Sequence, residues 1–343
     1  MQDRIEPLDW LRATAATAVV IGHVRPEWVP GGSVGVSMFF VLSGYLMCSS
    51  LIREGMLSGQ NIVKFLVRRL GRIYPMYLVQ LACVCLITLA MYSSRWPSLE
   101  THLVDLLTFR RITGEWLGYG VGVLWTLYIE FWFYITFPVV MLLLLALPVR
   151  TGNELKLIGG FATIAVAVIV IRALGAAPSS VFFYDHFLLG ASIVLLERSS
   201  FVRKMVKPAA LLWGAMIIVI ALSIPYAGGR NAGWVLQSMT AALGTGIVIL
   251  AAAVRPTKYH FPIVSFIARI SYSIYLVHAL VLDVFPNMAH DSLTGLAIYL
   301  AMVIAISWAT ERFVERPINS ATHQRMRFKV GGLSTGSAAE AKR

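Results

Sequence analysis

Four short stretches of this 343-residue chain place ionisable side chains where chemistry could use them. Arg12 and His23 are separated by ten residues in "RATAATAVVIGH". At about 100° per residue, eleven positions make three turns plus roughly 20°, so on a helix both project from one face, about 16 Å apart along the axis. They cannot hydrogen-bond each other, but they could meet two ends of one elongated ligand. Glu130 is the single acid in "LWTLYIEFWFY", and an unpaired carboxylate in such apolar surroundings is costly enough that it needs a partner. In "RRLGRIYP", Arg69 and Arg72 lie three residues apart on one side of a helix start, with Tyr74 following. Two guanidinium forks at that spacing suit phosphate oxygens. The stretch "SYSIYLVH" ends on a second imidazole, His278.

The elements that must hold these residues are membrane helices. The chain is 58% hydrophobic and only 13% charged, with a mean hydropathy of +0.74, outside the usual range of soluble domains. About 20 apolar residues span the hydrocarbon core. Ten segments qualify, near 9–27, 34–52, 73–93, 121–147, 157–175, 181–196, 208–225, 233–253, 268–286 and 293–313. The expected fold is all-α and polytopic, with both termini cytoplasmic. All but six of the 29 lysines and arginines (Arg25, Arg95, Arg110, Arg111, Arg172 and Arg230) then fall on inside segments, as the positive-inside bias requires. The same bias explains the formal charge of +12, so no nucleic-acid partner is expected. Residues 1–318 read as one membrane-embedded domain whose first helix is retained rather than cleaved. Residues 319–343 read as a disordered cytoplasmic tail. The long outside stretch 94–120 carries Trp96, Trp116 and Tyr119, which suit aromatic anchoring at headgroups. Cys48, Cys83 and Cys85 form neither a disulfide framework nor a metal site, and no metal is expected. Neither a Walker loop nor a GxGxxG motif is present.

The Arg-x10-His pattern resembles the first helix of the membrane-bound acyltransferase 3 family. The resemblance continues in family order through "GVSMFFVLSGYLM" (35–47), "RRLGRIYPMY" (68–77), "LWTLYIEFWFY" (124–134), "YDHFLLG" (184–190), "SYSIYLVH" (271–278) and "ERP" (315–317). It implies an acyl-CoA-dependent O-acyltransferase of about ten helices. Such an enzyme moves an acyl group, most often acetyl from acetyl-CoA, onto a hydroxyl of a carbohydrate acceptor, with a bacterial inner-membrane location. Some members carry a fused extracytoplasmic esterase-like domain; this chain is expected to be the stand-alone type.

Acyl transfer to a hydroxyl needs a proton acceptor, and a neutral imidazole suits that task near pH 7. His23 is therefore the expected general base, with His278 ranked below it because a histidine bonded to a neighbouring helix is a common structural outcome. Glu130 is read two ways, as the orienting partner of an imidazole or as a structural partner of an arginine or of hydroxyls such as Tyr134. Ser43, Tyr45 and Trp125 could donate to an oxyanion, although Ser43 and Gly44 equally suit close helix packing. Arg69, Arg72 and Arg12, with Tyr74, are expected to hold the nucleotide end of the donor while its arm runs along the first helix towards His23. A different class, a transporter or flippase for a lipid-linked sugar, would use Arg12, His23 and Glu130 to line a pathway. The family motifs and the absence of an evident internal repeat favour the acyltransferase.

Overall fold

A computed structural model describes residues 6–53, 59–91, 107, 122–148, 152–175, 182–225, 232–255 and 261–322. Among them there is helix and no strand. In chain order the helices are α1 (Glu6–Val24), α2 (Gly35–Arg53), α3 (Gly59–Met91), α4 (Trp125–Ala146), α5 (Asn153–Ala173), α6 (Tyr184–Leu196), α7 (Ser200–Met205), α8 (Ala210–Ser223), α9 (Ala232–Val254), α10 (Pro262–Val284), α11 (Met288–Asp291) and α12 (Leu293–Thr310). A π-helical turn at Glu311–Glu315 follows α12, and helical structure continues to Thr322. Each of the ten expected apolar segments is a helix. Seven helices among the described residues are long and apolar enough to cross a membrane, and α6 and α8 are shorter apolar helices. The chain is a multi-pass membrane protein. Trp96, Trp116 and Tyr119 lie outside the described residues, as does the tail beyond residue 322; the first four residues of the expected tail continue the last helix.

One boundary differs in a way that matters. α3 begins at Gly59 and runs for 33 residues, about 50 Å, so "RRLGRIYP" lies inside a helix rather than at its start. The polar first turns of α3, with Lys64 and Arg68, lack the apolar content that hydropathy detects.

Side-chain pairs fix the directions of the helices that carry the site. Glu6 Oε1 accepts the Phe261 N–H at 2.8 Å, Ser265 donates to Asp9 at 3.2 Å, and the His23 and His278 rings lie 5.1 Å apart. These pairs ascend together, so α1 and α10 are parallel. Tyr272 donates to the Ile73 carbonyl and Gln80 to the Leu276 carbonyl, which makes α3 parallel to α10. α2 runs back against α1, with Gly35 against Ala15 and Gly32 against Ala18 and Gly22. A chain that threads back and forth requires these directions of its first, second, third and ninth segments.

α2 also crosses α6 almost backbone to backbone. A Cβ added at Gly44 would stand 2.0 Å from the Phe187 carbonyl oxygen, and one at Gly190 equally close to that of Val41. This is the small-residue packing that lets membrane helices approach. Around the crossing, Phe40, Phe133, Phe183 and Phe187 form a ring cluster, with centroids 4.2 Å apart for Phe133 and Phe187 and 4.8 Å for Phe40 and Phe187. Trp125 joins it, 6.2 Å from Phe40 and 5.5 Å from Phe183.

Candidate active site

Two neighbouring spaces that share Arg69 and Arg72 open in the bundle, the inner one between α1, α2, α3, α4 and α10 and the outer one between α2, α3, α10 and the segment after α12. The inner one encloses about 90 Å³ and is lined by Arg12, Ser43, Arg69, Arg72, Glu130 and Tyr134 together with apolar and aromatic groups that include Phe39, Tyr272 and Tyr275. The outer one, about 770 Å³, is a basic vestibule formed by Arg53, Arg68, Arg69, Arg72, Arg269 and Arg316, with Glu311 and Glu315 on one wall. Arg69 and Arg72 belong to both. Their i, i+3 spacing on α3 puts them at the junction, as the sequence pattern suggested.

Local interactions hold this junction. Arg69 donates to the Leu46 carbonyl at 3.0 Å and lies over the Phe65 ring at 5.6 Å. On the far wall, the wider π-helical turn carries Glu311 and Glu315 to one side, as such turns often do at functional sites. Ser273 of α10 donates to Glu315, Thr310 donates to Ser273 at 3.1 Å, and Arg269 faces Glu311 at 3.9 Å. These contacts tie the "ERP" segment to α10 and present Arg316 to the vestibule.

In the inner cavity Ser43 and Tyr134 both donate to Glu130 Oε1, each at 2.5 Å. Glu130 thus takes the hydroxyl partners and, among the described residues, bonds to no imidazole, so of its two sequence readings the hydroxyl pairing is the one present. His23 does not line this cavity. It sits at the far end of α1 from Arg12, exposed, with its Nδ1–H donated to the Val19 carbonyl at 2.7 Å. A carbonyl oxygen can only accept, so Nδ1 carries the proton and Nε2 of the neutral ring keeps a lone pair. His278 is fully buried against it and likewise bonded through Nδ1 to a carbonyl, that of Ile274, at 3.2 Å. Two imidazoles that are 255 residues apart in sequence therefore meet at one end, while the arginines gather at the other.

Three expected residues lie elsewhere. The Tyr45 hydroxyl is bonded to Glu197 at 3.0 Å, Trp125 is part of the aromatic cluster, and Tyr74 donates to the Leu107 carbonyl at 3.2 Å and stacks on Tyr77. None of the three lines the cavity. Sequence reasoning passed over Arg53, Arg68, Arg269 and Arg316 because each also satisfies the positive-inside bias. It also passed over a buried cluster in which Arg172 of α5 is paired with Asp185 of α6 and bonded to Ser238 of α9 at 2.8 Å, with His186 3.0 Å from Asp185. The signal was present: Asp185 and His186 are adjacent ionisable residues in the otherwise apolar "YDHFLLG". Among the described residues no group of three or more His, Cys, Asp or Glu could hold a metal ion.

A bundle of apolar helices with a basic mouth, a narrow cavity lined by arginines and a carboxylate, and a pair of imidazoles at the far end of α1 from Arg12 defines an integral membrane protein with a charged interior site. Comparison with known proteins agrees with this class. The profile of the acyltransferase 3 family, described as an acyltransferase domain, matches residues 5–312, and the chain belongs to that family. A Staphylococcus aureus (strain COL) protein, provisionally named an O-acetyltransferase, is 26% identical over 349 residues, covering 91% of this chain and 57% of its own length. The O-acetyltransferase OatA of S. aureus (strain NCTC 8325) is also 26% identical over 349 residues, covering 91% of this chain and 56% of its own. The chain spans a little over half the length of these curated relatives. No solved structure matches.

Proposed function

We propose that this chain is a membrane O-acetyltransferase that takes an acetyl group from acetyl-CoA and passes it to a hydroxyl of a carbohydrate acceptor. Residues 1–318 form the membrane unit, cross a bacterial inner membrane ten times and leave both termini in the cytoplasm. The observation that carries the reading is that the six-arginine vestibule and the narrow cavity share Arg69 and Arg72 in their walls. Coenzyme A has this shape and polarity, with phosphates at one end and a thin neutral arm ending in the thioester. Arginine forks suit the phosphates, and Arg12 marks the entry to the arm's path along α1.

His23 serves as the general base. Its Nδ1–H bond to Val19 holds the tautomer whose Nε2 accepts a proton. The acceptor hydroxyl gives its proton to Nε2 as its oxygen bonds to the acetyl carbon; the carbon–sulfur bond then breaks, and the thiolate leaves as CoA-SH with the proton from His23. His278 and the α1 backbone position the ring. The test is radiolabelled acetyl-CoA offered to sealed inverted membrane vesicles with a glycan extract. An acetyltransferase adds an acetyl mass to the glycan, whereas a transporter or flippase leaves the glycan mass unchanged, which would overturn the reading.

A further inference from the structure

The Glu130 carboxylate is anchored by one oxygen and open at the other. Both hydroxyl donors, Ser43 and Tyr134, converge on Oε1. Among the described residues Oε2 accepts no hydrogen bond, and Glu130 forms no ion pair with a described residue even though Arg12, Arg69 and Arg72 line the same cavity. Glu130 is half-buried, and Oε2 is not among the sealed atoms that lack partners, so this oxygen faces the cavity. A carboxylate oxygen in so apolar a site is costly without a donor, and the protein leaves that donor to be supplied by what enters.

We propose that Glu130 reads the pantetheine arm of the donor, its Oε2 accepting a hydrogen bond from an amide N–H or the hydroxyl of that arm. This rests on the acyl-CoA reading above. The arm carries two amide N–H groups and one hydroxyl and no charge, which are the groups a carboxylate can accept from. Phosphates are repelled by the same carboxylate, so the order of charges sorts the ligand: arginines retain the phosphates at the mouth, and Glu130 admits only the neutral arm. The two hydroxyls that fix Oε1 stop the carboxylate from turning towards the arginines and quenching its acceptor. Glu130 then acts in donor recognition and not in proton transfer, in keeping with its bonds to Ser43 and Tyr134 and with a cavity lining that includes neither His23 nor His278.

The probes are CoA and adenosine 3′,5′-bisphosphate, which shares phosphate and adenosine groups with CoA but lacks the arm. Their binding to the purified full chain in detergent is measured for the wild type, Glu130→Gln and Tyr134→Phe. Loss of a hydrogen bond to a charged acceptor corresponds to roughly tenfold to a hundredfold in affinity. The expected result is that loss for CoA in Glu130→Gln with the bisphosphate unchanged, a smaller loss in Tyr134→Phe, and a raised KM for acetyl-CoA with kcat within about twofold. Unchanged CoA affinity with a collapsed kcat makes Glu130 catalytic and overturns the proposal. Equal weakening of both probes makes it a support for the arginines and also overturns it. A wild type that neither binds CoA nor transfers acetyl sinks the acyl-CoA reading itself, a result distinct from either.

Discussion

Replacing Asp185 with alanine leaves Arg172 as an uncompensated charge in the protein interior. The Arg172 side chain has 0% exposure, as does that of Asp185, so solvent cannot take over the lost partner. What remains is the Ser238 hydroxyl, the His186 Nδ1 at 3.4 Å and three aromatic faces, with the guanidinium carbon 4.9 Å from the Phe183 ring centre, 5.0 Å from Phe182 and 5.4 Å from Trp234. These contacts exist with or without Asp185 and so do not offset its removal. Breaking a buried pair from one side costs about 3–5 kcal/mol, whereas removing both charges is often close to neutral. Asp185→Ala is therefore expected to lose about 3–5 kcal/mol, and Arg172→Leu with Asp185→Leu to recover at least about 2 kcal/mol of that. Asp185→Asn, which keeps an acceptor of the same shape, falls between wild type and Asp185→Ala. The assay is denaturant unfolding of the detergent-purified chain followed by tryptophan fluorescence, which Trp234 reports locally. An Asp185→Ala protein within about 0.5 kcal/mol of wild type, or a double variant no better than the single one, refutes the reasoning.

Three further outcomes follow from the geometry. Gly44→Ala would place a methyl 2.0 Å from the Phe187 carbonyl oxygen; α2 and α6 must part, with a loss of about 1–3 kcal/mol, seen as reduced monodisperse yield and earlier unfolding. Arg72→Ala raises the KM for acetyl-CoA roughly tenfold or more and makes donor binding less sensitive to salt, read from initial rates over a salt series. Ser273→Ala removes the donor to Glu315 and costs about 1–3 kcal/mol while loosening the π-helical turn, which limited proteolysis after α12 detects.

The sequence made the helices legible because apolar runs of membrane length have few other uses, and Arg12, Arg69 and Arg72, singled out by spacing together with the family resemblance, line one cavity. The start of α3 was not, because hydropathy is blind to a helix whose first turns are polar. The vestibule was only half visible: Arg269 and Arg316 lie far from Arg69 in sequence, and an arginine explained by membrane topology shows no sign of facing a cavity. The partners of Glu130 could not all be chosen from its own helix, since Tyr134 sits one turn away but Ser43 arrives from α2. The meeting of His23 with His278 depends on α1 and α10 being parallel neighbours, a relation set by tertiary packing.

The most direct test of the account measures acetyl transfer from acetyl-CoA to glycan by membranes holding equal amounts of wild type or His23→Ala, with CoA binding measured on the same preparations. His23→Ala is expected to bind CoA as the wild type does and to lose transfer by at least about a hundredfold, the loss that removal of a general base brings. Transfer by His23→Ala at the wild-type rate would contradict it and make the imidazole pair a packing contact.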